Sequence, residues 1–323
     1  MSKKTNAVIA KFILLTFGIS ILFLFSITSQ ANTKILPAPQ KLSKHVYAWI
    51  GPLDGPTKEN HGYRMNLVFV VGAKSVAVID TGYTEAMAKE MLTHIRTITD
   101  KPVKYAINTN SQPHRFMGNP VFRQAGAAII ATAKSAERME AGSSNFAGAI
   151  ERILELSEGS VKFPKAPDQI ISKETQLDLG GVTIEIKNYG AAHTPASLVV
   201  AIPADKIIIA SDVLYAQRLL AISRHSNIKS WITVFDKLKK YSDVTFIPGH
   251  GQPGPIKNFD FPTRSYLNLL LTYMDKMVDQ GIDVQDAINN LDQSLYSKLA
   301  NFETLARRNA SWAYLEREQA AFE

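Results

Sequence analysis

Three short apolar runs in this chain each lead into a polar residue suited to metal binding or proton transfer. Val76-Ala77-Val78-Ile79 stops at Asp80, Ile207-Ile208-Ile209 leads to Ser211 and Asp212, and Val244-Thr245-Phe246-Ile247 runs into Pro248-Gly249-His250. Runs of this length without polar alternation read as strands buried on both faces, which requires a sheet packed between other layers. The strand ends of such a sheet are where side chains from distant positions meet. His193, in the turn Gly190-Ala191-Ala192-His193-Thr194, joins the same set. These residues predict one site.

Further strand signals fall at 45–50, 67–71, 75–79, 103–107 and 127–131. They are separated by turns or by one helical segment in which Met87, Met91, Ile95 and Ile98 recur at helical spacing. The second half repeats the theme at 175–179, 182–186, 198–202, 206–209 and 244–247, with tight turns at Gly180-Gly181 and Ala204-Asp205. Strands with intervening and flanking helices predict α/β layers. After Pro262 the residues Leu267, Leu270, Leu271, Met274 and Val278 mark a helix, and a last segment runs through Leu305, Trp312 and Leu315. Residues 261–323 therefore read as a helical cap on the domain formed by 32–260.

The N-terminus carries Lys3, Lys4 and Lys11, a nearly unbroken apolar stretch from Phe12 to Phe25, and then Ser29-Gln30-Ala31. That is the pattern of a secretory signal peptide over 1–31, which predicts a mature start at Asn32 and a periplasmic or secreted protein. An uncleaved membrane anchor is the alternative, because the apolar run is about as long as a short membrane helix. Removing 1–31 takes away three lysines and no acid, so the net charge falls from +7 to +4. The remaining basic residues are scattered, which argues against nucleic-acid binding. With no cysteine, the chain has no disulfide, thiolate ligand or thiol nucleophile, so a transition metal must be held by imidazole, carboxylate or water.

Two polar loops are candidates for pocket walls: 52–65, with Lys58, Glu59 and His61, and 213–227, with Tyr215, Arg218, Arg224 and His225. His61 and His225 are the histidines there that a small-molecule substrate would meet. His45 and His94 read as solvated or structural.

Val78-Ile79-Asp80-Thr81-Gly82, Ile107-Asn108-Thr109, Phe116-Met117-Gly118-Asn119, Gly190-Ala191-Ala192-His193-Thr194, Ser211-Asp212 and Ile247-Pro248-Gly249-His250-Gly251 occur in one order. Together they resemble the successive motifs of the metallo-β-lactamase fold, over roughly Tyr47 to Gly254, and within it the exported branch that includes the quinoprotein relay system metallohydrolases. The resemblance implies a four-layer αββα sandwich with metals at one edge of the sheets. It also implies a first ligand motif His-x-His-x-Asp-His, followed by two residues and Gly-Asn. Anchored without a gap on Gly118-Asn119, that motif places Asn110 and Gln112 at the first two histidines, His114 at the aspartate and Arg115 at the last histidine.

Asparagine and glutamine offer zinc only an amide oxygen, and arginine offers no lone pair and a fixed positive charge. A two-metal site is therefore not expected. The one-zinc expectation uses His114, Asp212 and His250, with His193 as a further ligand or a hydrogen-bond partner to bound water. Catalytic roles fall to His114, to Asp80 as a partner of a histidine or of Arg115, and to Arg115 itself, as a group binding an anionic substrate or an oxyanion. Asn110, Gln112, His61 and His225 are the expected substrate contacts. Activated water at such a centre attacks an ester, lactone or amide carbonyl. The alternative is a metal-free member in which Arg115 replaces the cation and the same residues bind a small acidic ligand or a partner.

Overall fold

Alternate residues of the apolar runs face opposite ways, and both faces are covered. In β3 (Leu67–Val71), Val68 and Val70 pack inward against the second sheet, while Leu67 and Phe69 pack against helices. The computed structural model describes residues 34–322, so the proposed signal peptide lies outside the described residues. β1 (Gln40–Lys41), β2 (Val46–Trp49), β3, β4 (Val76–Ile79), β5 (Val103–Ile107), β6 (Ala128–Ala131) and β7 (Gln169–Ile170) form a seven-stranded sheet in that order. A five-stranded sheet runs from β12 (Thr245–His250) through β11 (Ile207–Tyr215), β10 (Leu198–Ile202) and β9 (Thr183–Asn188) to β8 (Glu174–Asp178).

The facing surfaces of the sheets share one core, in which Val68, Val70, Ala77, Ile79 and Ile107 meet Ile184, Ile186, Val200, Ile207 and Ile209. On the outside of the first sheet, α1 (Glu85–Ile98), α2 (Pro113–Phe116), α3 (Asn119–Gln124), α4 (Ala133–Ala141) and α5 (Ser143–Leu154) contribute to a second core. On the outside of the other sheet lie α6 (Ile228–Leu238), α7 (Tyr266–Asp279), α8 (Val284–Asn290) and α9 (Phe302–Ala321). The result is the expected αββα sandwich. The C-terminal helices share one core with β11 and α6.

Helix α1 carries Met87, Met91 and Ile95 fully inside, with Thr84 as N-cap accepting from the Met87 amide. Ile98, the last of the predicted stripe, is 37% exposed. Helices α4 and α5, between β6 and β7, were not marked by periodicity. The segment 213–227 is not all loop, because β11 continues to Tyr215. His45 pairs with Asp205 at 2.7 Å and His94 accepts from Trp49 Nε1 at 3.2 Å, so both are structural. Among the described residues no helix is long and apolar enough to cross a membrane.

Strands β4, β5 and β6 are parallel, as are β11 and β12, so the C-terminal ends of β4, β5 and β12 bring Asp80, Asn108 and His250 toward Asp212, which lies within β11. The turn after α2 seals this edge. A Cβ on Gly118 would lie 2.0 Å from the Thr81 carbonyl and 2.6 Å from the Ala88 Cβ. Gly118→Ala should therefore cost about 1–3 kcal/mol in urea unfolding. Gly148→Ala, inside α5 with nothing within 4 Å of the new methyl, should gain about 0.5–1 kcal/mol. Equal effects would contradict this packing.

Candidate metal centre

Helix α2 puts Arg115 into the interior with no exposed surface. Its guanidinium has five N–H groups, and all five are used. Nε and Nη2 donate to the two oxygens of Asp212 at 3.0 and 2.5 Å, and Nη1 donates to Asp80 at 3.1 Å. The remaining two reach the Asn66 carbonyl at 2.9 Å and the Gly249 carbonyl at 3.1 Å. Gly249 is required here, since a Cβ would lie 2.2 Å from the Asp212 carboxylate and 2.7 Å from Arg115 Nη2. The backbone of Arg115 is fixed as well. Its carbonyl accepts from the Thr81 amide at 2.9 Å and from Asn108, which is itself paired with Asn119.

Asp80 follows β4 in a left-handed conformation, φ 63°, and Ser211 in β11 has φ 48°. Such backbone is strained in residues with a Cβ and persists where the surroundings over-determine it. The two side chains meet: Ser211 donates to Asp80 at 3.1 Å, and Thr109 donates to Asp80 through both its amide and its hydroxyl, at 2.8 and 2.9 Å. Burial pushes the Asp80 carboxyl up to about 6 despite Arg115. Burial would raise Asp212 too, but the adjacent Arg115 charge holds it well below the ordinary carboxylate range.

Around the other side of Asp212, His114, Asp212 and His250 place one ligand atom each within 4.8 Å of one another. His114 Nε2 lies 3.4 Å from Asp212 Oδ2, and His250 Nε2 lies 3.4 Å from Asp212 Oδ1. His250 Nδ1 is 2.7 Å from the Arg64 carbonyl, so Nδ1 carries the proton and the Nε2 lone pair faces a carboxylate oxygen. Arg218 Nη1 also lies 3.1 Å from Nδ1, but the shorter carbonyl contact decides the tautomer. His114 Nδ1 is 3.3 Å from Arg64 Nη2, a pure donor, while its Nε2 is buried without a hydrogen-bond partner. Burial keeps His114 and His250 neutral, with His250 down to about 3, and lowers His193 as well.

This donor set fits one divalent cation. It does not fit two. Asn110 is spent on Asp212 at 2.9 Å and on the Gln112 amide at 2.8 Å, and Arg115 fills the space between the acids. His193 is buried, but it is not part of the three-residue group; it packs against Trp231 and Tyr215, and its Nδ1 has no partner.

The expected part of Arg115 in binding substrate or oxyanion needs correction, because no donor remains for either. Asp80 pairs with Arg115, one of the two partners expected for it, and also meets Thr109 and Ser211, but it touches none of the histidines. Gln112 and His225 line a neighbouring cleft, whereas His61 belongs neither to that cleft nor to the ligand group. Arg64 is the functional residue that sequence reasoning passed over. It lies within the 52–65 loop, but nothing about its spacing sets it apart from Lys58 or His61. The Arg64 guanidinium meets His114 and that of Arg218 meets His250, and each has a buried Nε without a partner. Burial and their mutual repulsion lower Arg64 to about 10.

Removing one partner of a buried ion pair leaves an uncompensated charge, so Arg115→Met should cost about 3–5 kcal/mol near neutral pH. An acid whose folded pKa is raised binds its proton more readily when folded, and stability then rises as pH falls through that pKa. Without Arg115 the Asp80 value moves further up from about 6. The deficit measured by urea unfolding should therefore shrink from about pH 7.5 to about pH 5.5, and a constant deficit would contradict this electrostatic account.

The metallo-beta-lactamase superfamily model matches residues 62–250. A metallo-beta-lactamase from Pontibacter korlensis superposes with TM-score 0.59 at 20% identity, covering 71% of this chain and 98% of that one. The DIM-1 metallo-beta-lactamase gives TM-score 0.57 at 17% identity, covering 72% and 98%. At such identities the likeness speaks for the fold. With the family model spanning more than half of its length, the chain belongs to the metallo-β-lactamase superfamily.

Proposed function

We propose that this chain is a hydrolase that holds one zinc ion and directs water at an ester, lactone or amide-type carbonyl. The observation that carries this reading is the convergence of His114, Asp212 and His250, with His114 Nε2 buried and unpartnered. Two ligands of one tetrahedral zinc, each about 2.0–2.1 Å from it, lie roughly 3.3 Å apart. The 3.4 Å gaps, from His114 to one Asp212 oxygen and from His250 to the other, are close to that spacing and long for hydrogen bonds. Zinc bound there supplies a Lewis acid and a water acidified to a pKa near about 7.

The chain's own groups do the rest. Asp212 stays ionised because Arg115 grips it, and Asp80 and Asn66 hold Arg115 in place. His250 is preset as a ligand by the Arg64 carbonyl. His114 is not preset, since the Arg64 guanidinium now occupies its Nδ1; engaging a cation through Nε2 requires Arg64 to release the ring and the ring proton to leave Nε2. Once released, the Arg64 guanidinium faces the reacting space with Arg218, where cationic N–H groups lower the cost of charge on a carbonyl oxygen.

A second reading has a specific observation behind it. Three guanidiniums, Arg64, Arg115 and Arg218, surround two carboxylates, which favours an anion over a dication. In that reading the domain is a metal-free binder of a small acid. The leader at 1–31 supports export in either case, with cleavage before Asn32.

Metal analysis separates the two readings. Protein purified with zinc present should carry about one equivalent, and chelator should lower its melting temperature by several degrees, because a ligand bound only to the native state stabilises it. His114→Ala and Asp212→Asn should lose both the metal and the chelator effect. No zinc under replete conditions, with a melt indifferent to chelator, would favour the metal-free binder. Chromogenic ester hydrolysis should disappear with the zinc and return with it. Intact mass of exported protein should correspond to a start at Asn32; a full-length mass in the membrane fraction would indicate the anchor.

A further inference from the structure

Next to the candidate metal centre is a cleft of about 270 Å³ that the proposed reaction does not account for. It adjoins that centre through Ser111 and Gln112, which follow the Asn110 that binds Asp212, and through Thr194, which follows His193. Arg138 of α4 and Arg224 of the loop before α6 both line it, and no carboxylate does. Among the described residues neither arginine has an ion-pair partner. The Arg138 guanidinium lies 5.0 Å from the ring centre of Phe146, and Arg224 Nε donates to His225 Nε2 at 3.0 Å.

Two like charges that share a cleft without a counterion repel each other. Burial lowers Arg138 and His225; the charge of Arg224 acts in the same direction on Arg138, and the charges of both arginines do so on His225. An entering anion would relieve that repulsion and accept from both guanidiniums. Phe146 and Trp312 add flat apolar walls, and Gln112 adds an amide. The volume is near the lower end for small-molecule pockets, suited to an aromatic or short aliphatic acid.

We propose that this cleft receives the acidic end of the substrate: Arg138 and Arg224 hold a carboxylate carried on a flat apolar group between Phe146 and Trp312. The bond to be cleaved then lies toward His114, Asp212 and His250. That last clause rests on the hydrolase reading; the anion site does not.

Phthalate is a suitable probe, with the neutral phthalamide as its control. Trp49 and Trp231 are fully buried and Trp312 is half-buried in the cleft, so quenching of tryptophan fluorescence that is lost in Trp312→Phe reports on this site. Phthalate should quench saturably in both zinc-treated and chelator-treated protein. Arg138→Gln/Arg224→Gln should weaken it roughly tenfold or more with an unchanged melting temperature. If the double variant melts early, Arg224→Gln alone, at an exposed position, should still show a severalfold loss. Equal binding by the variants, equal binding of phthalamide, or loss of phthalate binding on chelation would each overturn the proposal. Sulfate binding as tightly as phthalate would overturn its aromatic half. Absence of zinc and of ester hydrolysis, with phthalate binding intact, would remove the hydrolase reading and leave the anion site standing.

Discussion

The structure turns on one guanidinium placed between two buried carboxylates. Arg115 is fully buried, and each of its donors ends on a group from another element: Asp80 after β4, Asp212 in β11, Gly249 in β12 and Asn66 before β3. Two ionised acids that deep in a low-dielectric interior are tolerable only with a cation beside them. Arginine suits the position because its planar fork meets Asp212 with two parallel bonds and still has donors for three other partners. The same bonds tie the edges of both sheets together, so the ligand geometry depends on the packing of the whole sandwich.

In the proposed one-zinc reading, this arrangement would divide the work between a fixed charge and an exchangeable one. Arg115 supplies permanent positive charge on one side of Asp212, which leaves His114 and His250 on its other side for a single ion. Arg64 links the two imidazoles, through its backbone carbonyl to His250 and its side chain to His114. A loop that holds one ligand in the right tautomer while blocking another couples occupancy of the site to its own conformation. Three ligand atoms converge beside Asp212, and the amides at Asn110 and Gln112 make poor zinc ligands, so the proposed occupancy is one ion.

Much of this was legible in the sequence, for a definite reason. Strands covered on both faces are unbroken apolar runs, so the polar residues that end them stand out, and Asp80, Asp212 and His250 were found that way. His114 followed from the family resemblance, whose motif anchors on Gly118-Asn119, a pair with structural work of its own: Gly118 has no room for a side chain, and Asn119 pairs with Asn108. Loops gave no comparable signal. His61 looked like a pocket residue from its composition, yet the loop directs Arg64 to the site, and no periodicity distinguishes the two. For Arg115 the pairing with Asp80 was legible, but not that it has nothing left for a substrate, because a sequence does not reveal that every donor of a side chain is already taken. The helices α4 and α5 were missed, and with them the Arg138 wall of the neighbouring cleft.

The most direct test is a crystal structure of zinc-soaked protein with anomalous scattering measured at the zinc absorption edge. The account predicts a single peak bounded by His114, Asp212 and His250, with the Arg115 guanidinium still bridging Asp80 and Asp212. Two peaks, or one peak in the place of a displaced Arg115 side chain, would contradict it.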